Sequence, residues 1–305
     1  MADIAISRAA FAGFGLLRRR PWVPLIWATI YAGVIGLLIV LLGGAFIQAI
    51  GRLVALRPND HAALGQVLAL MGGIFGGYVL FLLVFWVLGA VVNMAVVRAV
   101  MEPEARAYAY LRLGVRELWL MLANFVLFIL YVMLSMAMAI PVGVLSAVVA
   151  LNSPAAAPFV SWPLQIVTWI ASIWLGLRFC MVAPMIYADR RFRLFESWSF
   201  TRGHVWRLFQ VGLIMVASAL ILYVLLLGVG FAVGIPLFMQ MAQTINPHTF
   251  FTQAPAQAFR QLSPILILYV GLIWAGFTVL LSVFFAPWPA AYRQLVGDDL
   301  AATFS

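Results

Sequence analysis

Six long apolar runs constrain this chain more than any other feature. They lie near residues 23–49, 67–98, 118–150, 163–187, 206–242 and 264–290. Each can cross about 30 Å of hydrocarbon at roughly 1.5 Å per helical residue. Several exceed the roughly 20 residues that a crossing needs, so they must tilt, bend or continue into the headgroup region. Of the 305 residues, 66% are hydrophobic and only 9% are charged. A soluble domain is about 25% charged. A water-soluble fold of this size could not hide so much apolar surface, so the class is integral membrane.

The charges that remain are ordered. Net charge is +9, and all 18 basic residues are Arg. Fifteen of them fall in the N-terminal segment, the second and fourth loops or their flanking span ends, and the C-terminal segment. The other three are Arg52, Arg57 and Arg260. By the positive-inside rule, both termini and the second and fourth loops are cytoplasmic. A basic chain also suits nucleic acid, but charge divided among membrane loops does not form such a surface. The single Cys180 excludes an internal disulfide and a thiolate metal cluster.

Residues 1–20 read as an N-terminal interfacial amphipathic helix, with Ile4, Phe11, Phe14 and Leu17 on one face and Arg8 off it. Arg18-Arg19-Arg20 resembles the charged start of a signal peptide. The apolar run that follows is too long for one, so an uncleaved first span is expected. Residues 21–305 then form one six-span membrane domain. No polar stretch is long enough for a globular domain outside the membrane. The outer segments 151–162 and 243–262 are rich in Pro and Ala, and residues 50–65 are the most polar outer segment.

Chemistry is sparse along the spans. No Asp, Glu or His sits in the middle of any run, which argues against a proton relay or a carboxylate-based cation carrier. His61, His204 and His248 lie in three separate loops with no metal-ligand spacing. There is no Walker-type loop, no GxSxG and no carboxylate pair at catalytic separation. No catalytic residue, metal site or cofactor is expected, and the chain reads as non-enzymatic. Gly73 and Gly77 form a GxxxG that would suit close helix packing or self-association. Asn93 and Asn124, on adjacent runs, could bond across helices or contact a substrate.

The most informative stretch is Met181 to Phe209, MVAPMIYADRRFRLFESWSFTRGHVWRLF. It reads as a cytoplasmic hairpin carrying an amphipathic helix in the interface. Arg190, Arg191, Arg193, Arg202 and Arg207 alternate with aromatics that include Trp198 and Trp206, giving a basic aromatic band. Such a band attracts anionic headgroups at about 1 kcal/mol per Arg, although basic inner loops and aromatic belts are general in multi-span proteins. Arg178, the deepest charge, reads either as a phosphate or carboxylate contact or as a snorkelling side chain paired with Asp189 or Glu196. Pro141, Pro184, Pro236 and Pro287 are the expected helix-break positions.

Short matches between these elements read either as an internal hairpin repeat or as chance similarity between apolar runs. Ala183-Pro184 lies six residues before Arg190, and Ala286-Pro287 six before Arg293. Ala137-Met138-Ala139-Ile140-Pro141 is similar to Ala232-Val233-Gly234-Ile235-Pro236. The unit would be an inbound helix, a basic elbow and an outbound helix, suited equally to a transporter and to a duplicated structural bundle.

Arg178, Ala183-Pro184, Asp189, Ser197, Ser199-Phe200-Thr201-Arg202-Gly203 and Trp206-Arg207-Leu208-Phe209 follow one another in this order. The pattern resembles the cytoplasmic signature of a group of six-helix bacterial membrane proteins. That group includes the membrane domain of glycerophosphoryl diester phosphodiesterases and the YciC-like families. Phe200 stands where the group has Leu. The resemblance covers about a tenth of the chain and implies an all-helical module without the catalytic barrel.

The expectation is an all-α polytopic protein of the bacterial inner membrane, with six transmembrane helices and amphipathic elbows. Its expected partners are anionic lipids or a membrane protein, or a second copy of itself. The rival is a transporter for an apolar or amphipathic solute, with a cavity opened by breaks at Pro141 and Pro236.

Overall fold

The structure, a computed structural model, describes residues 5–55, 61–104, 107–244 and 255–303. Among these there is no strand. Helices α1 (Ile6–Ala10) and α2 (Ala12–Arg19) lead into α3 (Trp22–Ala55) and α4 (His61–Met101). Next come α5 (Val115–Asn152), α6 (Ala157–Phe179), α7 (Val182–Asp189) and the short α8 (Glu196–Phe200). The chain closes with α9 (Val205–Thr244), α10 (Pro255–Phe285) and α11 (Pro287–Thr303). Six stretches of these helices are long and apolar enough to cross a membrane. The 41 residues of α4 make it about 60 Å long, twice the thickness of the hydrocarbon core.

The prolines act differently from one another. Pro184 and Pro287 stand at real interruptions: α6 stops at Phe179 before α7, and α10 stops at Phe285 before α11. The Pro184 ring clashes with the carbonyl four residues back, at Cys180, which is where the helix breaks. Pro141 and Pro236 lie inside helices that continue through them, so the expected breaks do not occur. In hydrocarbon a full break would strand several backbone groups, whereas a proline within a helix strands one. At Pro184 the break is tolerated because other side chains satisfy the helix end, as described below.

Contacts divide the chain into two compact units. One comprises Met1–Ala12, Ala90–Leu213 and Phe285–Ser305; the other comprises Gly13–Gly89 and Ile214–Phe284. In the first, α5 packs on α6 and α7, α7 on α11, and α8 on α6. Its core joins Met94 and Val97 of α4, Leu120 and Ala123 of α5, Ile186 and Tyr187 of α7, and Leu194. The second unit is held by aromatic contacts. Tyr31 of α3 meets Phe85 of α4 at 5.5 Å and Phe277 of α10 at 4.8 Å, and Trp274 Nε1 donates to Thr29 Oγ1 at 3.2 Å.

The N-terminal segment differs from its expected form. It is two helices broken at Phe11, and α1 packs on α11, where the Ala5 amide donates to Gln294 Oε1 at 2.7 Å. The buried face consists of Ala9 and Ala10 on α1 and Gly13 and Leu16 on α2. Phe11 and Phe14 face outward, Leu17 is half-buried, and Ile4 lies outside the described residues. A Cβ on Gly13 would sit 2.5 Å from the Ser282 carbonyl oxygen, so α2 touches backbone there and only glycine fits. The Gly73–Gly77 pair makes no comparable approach; a Cβ at Gly73 would meet open space. Of the outer segments, residues 56–60 and 245–254 lie outside the described residues; within 151–162, α5 ends at Asn152, a single turn follows (Pro154–Ala156), and α6 begins at Ala157.

Candidate functional site

The end of α6 is built around Arg178. Its carbonyl belongs to the last turn of a helix and has no donor within that helix. Ser197 Oγ donates to it at 2.9 Å, and Thr201 Oγ1 lies at 3.5 Å. Both residues are fully buried. α8, the short helix that carries Ser197, is therefore fastened to the end of a span nineteen residues earlier. Gly203 then turns the chain into α9 with φ +83°, a left-handed conformation that glycine adopts without steric cost.

This fastening sets the Arg178 side chain among aromatics. The guanidinium carbon lies 5.3 Å from the Trp174 ring and 5.2 Å from the Trp198 ring. The two indoles meet edge to face at 4.9 Å, and Phe179 packs on Trp198 at 5.8 Å. Each indole face attracts a cation by about 0.5–2 kcal/mol, more as water is excluded. Nε and Nη1 of Arg178 are buried and, among the described residues, have no hydrogen-bond acceptor. A charged donor without an acceptor costs at least about 1–3 kcal/mol. The expected pairing of Arg178 with Asp189 or Glu196 does not occur. Asp189 pairs instead with Arg193 at 3.2 Å.

The other residues of the basic band are spread over the elbow. Arg190 ends α7 in a left-handed conformation, φ 56°, its amide donating to Ile186 O at 3.0 Å. Arg190, Arg191 and Arg202 are exposed, while Arg193 and Arg207 are partly covered. Trp206 is exposed and stacks on Phe209 at 5.4 Å. Phe200 packs on Tyr292 of α11 at 5.4 Å. The structure thus brings Arg178 and Trp198 together and leaves Arg190, Arg191, Arg202 and Trp206 on the surface.

Sequence reasoning missed a buried ion pair. Arg98 at the end of α4 and Glu117 in the first turn of α5 meet at 2.5 Å, with side chains only 5% and 4% exposed. Arg98 also donates to the Tyr110 carbonyl. Tyr110 is itself buried, and its hydroxyl donates to Pro103 O at 2.7 Å. Tyr108, Ala109 and Tyr110 all have positive φ, between 52° and 65°. Left-handed backbone costs roughly 1–2 kcal/mol per residue outside glycine, and the Arg98 and Tyr110 bonds hold this turn closed. Arg116 lies over the Tyr187 ring at 4.4 Å, and Arg98 approaches the same ring at 5.8 Å. The usable signal was Glu117 at the third position of a helix, where a carboxylate favours the helix N-terminus.

Fold and site together define a class, an all-α, multi-pass membrane protein. Its spans expose large apolar side chains such as Ile140, Phe159, Leu225 and Ile273, a surface that suits lipid rather than water. The chain matches no protein-family model, and neither the curated proteins nor the solved structures contain a match to it.

Proposed function

We propose that this protein is a non-enzymatic module of the bacterial inner membrane that binds the phosphate of an anionic lipid at Arg178. Both termini and the basic elbow face the cytoplasm, and the role is in envelope maintenance. The observation that carries this reading is the Arg178 guanidinium, held between Trp174 and Trp198 with two buried donor nitrogens that have no acceptor among the described residues. Guanidinium donors match phosphate oxygens in geometry and charge. Exposed Arg190, Arg191 and Arg202 would add long-range attraction at about 1 kcal/mol each. The resemblance of residues 177–210 to the six-helix group points the same way, since it implies a membrane module without a catalytic barrel.

The test is mass spectrometry of lipid retained after gentle solubilisation. Arg178→Gln should lose tightly held anionic lipid, while the triple change of Arg190, Arg191 and Arg193 to Gln should lower the total but leave the tight fraction. Equal anionic lipid in wild type and Arg178→Gln would remove the proposal. The rival transporter reading relied on breaks at Pro141 and Pro236, and both helices run through those positions.

A further inference from the structure

A cavity of about 160 Å³ lies in the same unit as Arg178, where the two broken helices meet the hairpin of α4 and α5. Asn93 of α4 and Asn124 of α5 line it, together with Cys180 and Pro184 at one break and Phe285 and Pro289 at the other. The remaining walls are apolar, with no Asp, Glu, Arg or His. At roughly 30 Å³ per water molecule, the space holds about five waters or a partly hydrated ion.

Two backbone carbonyls at this cavity lack their usual helical donors. α6 and α10 both end at it, at Phe179 and Phe285. The last carbonyls of a helix have no internal donors, and its C-terminus carries about half a negative charge. The segments that restart the chain would normally offset this with the free N–H groups of their first turns. Here proline removes one of these N–H groups from the first turn of α7 and two from that of α11. Pro184 cannot donate to the Cys180 carbonyl, nor Pro289 to the Phe285 carbonyl. Of the first three residues of α11, Pro287, Trp288 and Pro289, only Trp288 has an N–H. Asn93 and Asn124 add two carboxamides from the facing helices, each with an oxygen that can accept and an NH2 that can donate.

We infer that this cavity is a binding site for a monovalent alkali cation. Neutral oxygens at broken helices and carboxamides are the donor set that such an ion takes. A divalent ion prefers carboxylates, and none lines the cavity. The inference is independent of the lipid reading, because it uses different residues and a different ligand.

The experiment uses the whole chain in lipid nanodiscs. Retention of ²²Na⁺ and ⁸⁶Rb⁺ is measured, with competition by unlabelled NaCl, RbCl and choline chloride at constant ionic strength. One isotope should bind saturably and be displaced by its own salt but not by choline. Asn93→Ala and Asn124→Ala should each weaken that binding about tenfold, as expected for one lost ion–oxygen contact. If neither isotope is retained by wild type, or if choline displaces it equally, the site is not a cation site. Wild-type competition decides this even if an Asn variant fails to fold. Arg178 stays unaltered throughout, so failure here is separate from failure of lipid binding.

Discussion

Ser197 Oγ donates to the carbonyl of Arg178 at 2.9 Å, joining the elbow helix to the end of the fourth span. This bond gives a physical meaning to the Ser-x-x-x-Thr-x-Gly pattern in the sequence. Serine and threonine supply the donors that a proline-interrupted helix end lacks, and Gly203 supplies the left-handed turn that follows. Ser197→Ala leaves a buried carbonyl short of its best donor and should destabilise the fold by about 1–3 kcal/mol. Thermal unfolding followed by tryptophan fluorescence should show the loss, with Thr201→Val smaller because its contact is longer. A Ser197→Ala protein as stable as wild type would refute the role.

The Arg98–Glu117 pair should behave as a buried couple. Glu117→Gln or Arg98→Met alone leaves the partner uncompensated and should cost about 3–5 kcal/mol. Changing both to apolar residues should recover much of that loss. A double-mutant cycle in nanodiscs measures this, and simple additivity of the two single losses would contradict the burial described here.

Two glycines are required for different reasons. Gly13→Ala must push α2 away from the Ser282 backbone and should lower thermal stability markedly. Gly203→Ala meets no neighbour within 4 Å. Its cost is that of positive φ alone, about 1 kcal/mol. Equal losses for the two variants, read from the same melting curves, would be the wrong result.

The prolines should separate into two classes. Pro141→Ala and Pro236→Ala restore one helical hydrogen bond within continuous helices and should be neutral or stabilising in thermal unfolding. Pro184→Ala lets α6 and α7 compete to become one helix. It should alter the reactivity of Cys180, which lines the cavity beside the break, toward a small thiol reagent.

Six crossings would put the two ends of the chain on one side of the membrane. Reporter fusions at the N-terminus, at Arg191 and at the C-terminus should all report the cytoplasmic side. A split between the two termini would remove the orientation on which the lipid proposal rests.

Part of the site could be read directly from the residue order. Arg178 stood out as the deepest charge near a span end, while Ser197 and Thr201 entered only through the resemblance to the six-helix group. The interruptions at Pro184 and Pro287 were also legible, because proline acts on the backbone nearest to it. The Arg98–Glu117 pair was not legible. Both residues look like ordinary span-end charges, and only the left-handed turn at Tyr108–Tyr110 brings them face to face. The packed face of α2 was not legible for a related reason: the backbone approaches through Gly13, which carries no hydrophobic signal.

Local quantities such as hydropathy, run length and the placement of Arg determined by themselves that this chain is helical, multi-pass and basic at its loops. Each depends on the transfer of a residue or segment from water to lipid, and that free energy hardly depends on the neighbours. Which prolines break a helix, which charges become buried, and which residues share a cavity with Asn93 and Asn124 depended on partners far apart in the chain. Only the tertiary structure decided these, because a buried donor, acceptor or charge takes its energy from the group facing it.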